Sequence, residues 1–129
     1  MLRRIVGAVV GLVVAMAAIG LFEWAGRLLF PPPPGLDMRD PAQIAAAVDR
    51  LSSGLKASVV FAWFAGTIAG GIAGLTISRW RGTPWIVAAG VIAGAIANYV
   101  VIPHPFWMQV AGILLPLLGA WIVLRLAPR

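Results

Sequence analysis

Four long apolar stretches, at about 5–30, 55–77, 85–102 and 107–126, take up most of this chain, and hardly a charge interrupts them. A helix needs about 20 residues, at 1.5 Å each, to cross the hydrocarbon core of a bilayer. Each stretch is close to that length. The chain therefore reads as all-α: an integral membrane four-helix bundle forming a single membrane domain over 1–129, with little chain left outside the lipid. Composition agrees, with 61% hydrophobic and 11% charged residues against about 45–50% and about 25% in soluble domains. The longest segment between stretches, 31–54, is too short to fold as a second domain.

The net charge of +6 raises the question of nucleic acid, but its distribution answers differently. Arg3, Arg4, Arg79, Arg81, Arg125 and Arg129 fall at one set of helix ends. Arg27, Arg39, Arg50 and Lys56 fall at the other, where Glu23, Asp37, Asp40 and Asp49 balance them. Cytoplasmic loops carry the Arg/Lys excess of membrane proteins. The asymmetry predicts an even number of spans, both termini cytoplasmic, and contact of that end with anionic lipid; nucleic acid is not an expected partner. The first twenty residues have the look of a signal peptide, but the apolar run outlasts a signal core, so an uncleaved first span is expected. With no cysteine and one histidine, disulfides, thiolate sites and multi-histidine metal sites are excluded. No metal or cofactor is expected.

Pro31–Pro34 should end the first helix, because proline lacks a backbone donor and biases its predecessor away from the α region. Four in a row make a stiff extended strut. Asp40-Pro41-Ala42-Gln43 then reads as a helix start, with Asp40 as N-cap, Pro41 at the first position and Gln43 closing a capping box. Ile44, Val48 and Leu51 share one face of this helix. At about eleven residues it is too short to span, and it should lie in the outer interface between spans 1 and 2. Pro103-His104-Pro105 makes a rigid outer turn, and Pro116 should kink the last span.

Small residues recur at helical spacing. Gly7, Gly11, Ala15 and Ala18 share a face of span 1, and Gly66, Gly70 and Gly74 form two overlapping GxxxG motifs in span 2. Gly90, Gly94 and Ala97 repeat the theme in span 3. Such faces permit close helix crossings, but the pattern does not tell a partner in this chain from one in a second copy. Phe61, Phe64, Ile68, Ile72 and Leu75, opposite the glycines of span 2, should meet lipid.

Few side chains carry chemistry. Glu23 is the one carboxylate inside a span, with Arg27 a turn later in the favourable order. It reads either as a protonatable or cation-binding group, since ionisable residues in membranes are often functional, or as half of an interfacial ion pair with Arg27 snorkelling to water. His104 brings an imidazole, the usual proton-exchanging side chain. With Asn98, Tyr99, Glu23 and Arg27 it can form a polar site at the outer mouth of the bundle. The plainer alternative has His104 capping span 4 or meeting headgroups, and Asn98 bonding helices together. No catalytic residue stands out: Ser52 and Ser53 have no patterned base, and the Gly66–Gly74 run lacks the lysine of a phosphate loop.

Glu23, the Phe30-Pro-Pro-Pro-Pro-Gly35 junction, Asp37, Asp40-Pro41, the Trp63/Gly66/Gly70 face and the run from Asn98 through Ile102-Pro-His-Pro-Phe-Trp107 together resemble an uncharacterised family of small four-span bacterial membrane proteins. The resemblance covers nearly the whole chain and rests on the PPPPG and IPHPFW junctions. It implies four spans and a bacterial inner membrane, and supplies no activity. A histidine often follows the glutamate in that family, where this chain has Arg27. Small multidrug transporters share the span number and a first-span glutamate, but theirs sits mid-membrane, so that likeness is architectural.

Two functions follow as expectations. The first is a non-enzymatic structural or accessory subunit packing through its glycine faces, as a homo-oligomer or in a larger membrane complex. The second is a small proton-coupled transporter or lipid-handling protein using the outer-mouth polar site.

Overall fold

The computed structural model describes residues 1–37 and 39–128; Arg129, counted above with the basic end, lies outside them. Among the described residues every regular element is helical: α1 Leu2–Leu29, α2 Pro41–Ala47 followed by a 3-10 turn over Val48–Arg50, α3 Ser53–Ser78, α4 Thr83–Val101 and α5 Phe106–Leu126. The four longer ones are long and apolar enough to cross a membrane, as a multi-pass protein requires.

The ends have local causes. Phe30 N–H closes on Gly26 O at 2.8 Å and the prolines follow. Asp40 accepts from Ala42 N–H at 3.0 Å to start α2, and Ser52 accepts from Leu55 N–H at 3.1 Å to start α3. The expected capping box is not formed. Asp40 N–H already bonds Asp37 O at 3.2 Å, so the Gln43 side chain reaches further back and accepts from Asp37 N–H at 2.9 Å. The expected eleven-residue helix is instead seven α residues and a three-residue 3-10 turn. α5 continues through Pro116, which is buried.

Helices α1 and α4 run one way, α3 and α5 the other. α3 is the hub, in contact with all three of the other long helices and most extensively with α1. That seam is built from small residues in antiparallel register. Gly7 lies against Gly74 and Ser78, Gly11 against Gly70 and Gly74, Ala15 against Gly66 and Gly70, and Gly26 against Ser58. A methyl group on Gly7 would come within 2.7 Å of Gly74 O, and one on Gly11 within 2.8 Å of Gly70 O, so the backbones meet as closely as glycine permits. The partner left open by the GxxxG pattern is thus in this chain. Ile19, rather than Ala18, continues the buried stripe of α1.

Span 3 departs from expectation. A methyl group on Gly90 would run into the Leu12 side chain, but one on Gly94 would meet nothing within 4 Å, and Gly94 is exposed. Its face of α4 turns away from the chain's other helices, so Gly94 is not a packing glycine within this bundle. On α3, Phe61 and Ile72 are exposed as expected, whereas Phe64, Ile68 and Leu75 are half-buried. α5 covers part of that side: a methyl group added to Gly119 would lie 3.4 Å from Ile68 and from Phe64 O. Gly26, Gly71, Gly112 and Gly119 are close-contact positions that no spacing motif marked.

The core gathers Ala15, Val60, Trp63, Val87, Val91 and Met108. Thr67, fully buried, donates to Trp63 O at 2.9 Å, meeting the need of a buried hydroxyl for a partner. At the end holding both termini, arginines satisfy the last helical carbonyls: Arg3 Nε donates to Ile77 O at 2.6 Å and Arg81 to Leu124 O at 2.9 Å. Arg4 sits over the Trp80 ring at 4.8 Å and Arg125 over Trp121 at 5.4 Å. Ser78 and Thr83, both buried, share a 2.7 Å hydrogen bond across the turn.

Candidate functional site

The opposite end of the bundle holds a cavity of about 200 Å³. The end of α1 contributes Glu23 and Arg27, one turn apart. The start of α3 contributes Leu55, Lys56, Val59 and Trp63. The end of α4 and the turn after it contribute Asn98, Ile102 and His104, and Met108 comes from the first turn of α5. The short helix lies over these walls: Ile44, Val48 and Leu51, the face marked by periodicity, line the cavity too. The proline strut and Gly35 (φ +81°) bring the chain back across the bundle end, where the apolar face of α2 finds cover.

The Pro-His-Pro turn is held at several points. His104 Nδ1 lies 2.6 Å from Ile102 O; a carbonyl only accepts, so Nδ1 carries the hydrogen and Nε2 is left as the free ring nitrogen. His104 O accepts from Gln109 Nε2 at 3.1 Å. The imidazole stands edge-to-face with Tyr99, with ring centres 4.9 Å apart, and Trp63 lies 6.1 Å from Tyr99 and 6.5 Å from His104. These separations suit aromatic packing and join α3, α4 and the α5 turn in one cluster.

Of the side chains expected at the polar site, Glu23, Arg27, Asn98 and His104 line this one cavity. Tyr99 stands behind it: its hydroxyl donates to Met108 O at 3.0 Å and lies 3.4 Å from Gln109 O, tying α4 to α5. Asn98 is an exposed residue of the cavity wall. Sequence reasoning missed Lys56 as a wall residue, Trp63 as an aromatic wall and Gln109 as the brace of the turn. Lys56 is the chain's one lysine and lies in the first turn of α3; that was the available signal.

The arrangement places one carboxylate, two cations, an amide and an imidazole on otherwise apolar walls. It is suited to binding a small molecule with a polar head and an apolar body. No group of three or more His, Asp or Glu side chains placed to hold a metal occurs among the described residues. Comparison with known proteins gives no matching family model, no matching curated protein and no matching solved structure.

Proposed function

We propose that this is a non-enzymatic protein of a bacterial inner membrane, with both termini cytoplasmic, that binds and handles a small amphiphile at the outer end of its bundle. The observation that supports this best is the convergence of Glu23 and Arg27 of α1, Asn98 of α4 and His104 of the turn after it on one cavity roofed by Ile44, Val48 and Leu51. Few other side chains in the chain carry chemistry, and these are grouped.

A ligand that binds only the folded state raises thermal stability by mass action. The test is thermal unfolding of the detergent-solubilised protein across a series of single-chain lysophospholipids and fatty acids, at several pH values. Stabilisation is expected for at least one class, with a pH dependence that Glu23→Gln removes. A flat response across the series at every pH would overturn the reading.

The accessory-subunit reading has one specific observation in its favour. Gly94 and the neighbouring Ala89, Ala93 and Ala97 of α4 are exposed, a small-residue face of the kind other helices approach. Gly7, Gly11, Gly66, Gly70 and Gly74 no longer support it, being used within the chain. Under this reading the protein extracted in mild detergent has the mass of an oligomer or a larger complex, and Gly94→Leu reduces it to the monomer. A monomer from the wild type would end it.

A further inference from the structure

At the end of the bundle opposite the cavity, a groove of about 560 Å³ runs between α3 and α5, lined by Ile72, Leu75, Val123 and Leu126, with Thr76 and Arg79 on its α3 side. Ile72 and Arg79 are seven residues apart, so the groove extends about 10 Å along the helix from the guanidinium. Arg79 differs from its neighbours. Arg3 and Arg81 are bonded to helix carbonyls, and Arg4 and Arg125 lie over tryptophans. Arg79 is exposed and has no such tie among the described residues. Its backbone closes α3 in the left-handed region, φ 54°, with its N–H on Leu75 O at 2.8 Å. Glycine is the usual residue at that position and adopts it without the Cβ penalty. The backbone therefore gains nothing from arginine there, and the side chain is what the position supplies.

We infer that this groove is a binding site for an anionic phospholipid, one acyl chain lying along Ile72, Leu75, Val123 and Leu126 and the headgroup phosphate pairing with Arg79. The charge fits: Arg79 stands at the end where the other arginines gather, and each basic residue near a membrane surface attracts anionic lipid. The apolar walls lie where a chain descending from that headgroup would run. The inference is independent of the outer-end cavity.

The test uses the full chain reconstituted with phosphatidylglycerol and phosphatidylcholine in equal parts, then released into neutral detergent for native mass spectrometry. The wild type should retain phosphatidylglycerol in preference to phosphatidylcholine, and Arg79→Gly should lower that preference about fivefold, the effect of one basic residue at the surface. Leu126→Trp, which fills the groove, should lower retention of both lipids. Because glycine suits the backbone, Arg79→Gly should unfold in neutral detergent at a temperature equal to or above the wild type; a structural arginine would instead lower it. Equal retention of the two lipids by the wild type, unchanged preference in Arg79→Gly, or a second protein copy in place of lipid would overturn the inference.

Discussion

Gly70 and Gly94 show what one residue type means in two surroundings. A methyl on Gly70 would come within 2.7 Å of Ala15 Cβ and closer still to a backbone carbonyl of α1, whereas one on Gly94 would meet nothing. Gly70→Ala is expected to destabilise the bundle by about 1–3 kcal/mol, the usual result of overpacking. Gly94→Ala should be neutral or stabilising by up to about 1 kcal/mol, from helix propensity alone. Unfolding in mixed micelles separates the two, and equal effects would refute the assigned packing. Both glycines belong to small-residue patterns in the sequence; spacing marks a face, and only the neighbour across it decides whether a methyl fits. Tyr99 carries a second prediction. Tyr99→Phe keeps the ring beside His104 but loses the bond to Met108 O, and should cost about 1 kcal/mol in the same assay.

At the scale of the element, α2 is the part of the cavity whose presence depends on local chemistry. It is seven residues long, far too short to persist in water by itself. It relies on the Asp40 cap and on the apolar contacts of Ile44, Val48 and Leu51. Asp40→Ala should cost about 1 kcal/mol and act locally. Amides of 42–50 should exchange faster with solvent while those of α3 hold their protection; loss of protection in both would mean that the short helix supports the whole bundle. Asp40-Pro41 was readable as a start because capping is a short-range matter. The fate of Gln43 was not, because it turned on whether Asp40 N–H was already taken, and Asp37 O takes it.

At the scale of the molecule, the charge asymmetry makes a claim about orientation. The chain has no cysteine, so single cysteines report position cleanly. Ala46 on α2 and Pro128 at the opposite end are both exposed. With the termini cytoplasmic, a membrane-impermeant maleimide should label Ala46→Cys on intact cells and Pro128→Cys only after permeabilisation. The reverse pattern would invert the proposed orientation and place the cavity on the cytoplasmic side.

The presence of four long apolar helices, the proline-bound turns and the charge difference between the two ends were determined by the sequence alone; the length of α2 was not. Hydropathy, proline stereochemistry and charge act over a few residues and need no partner. The tertiary structure decided which faces meet. The glycines of α1 and α3 closed on each other inside the chain, and Gly94 was left open. The same antiparallel register brought Glu23, Arg27, Lys56, Asn98 and His104 to one end and laid Ile44, Val48 and Leu51 over them. Periodicity places a side chain on a face of its own helix. The rotation and register of that helix against its neighbours come only from packing, and it is those that turn separate polar residues into one cavity.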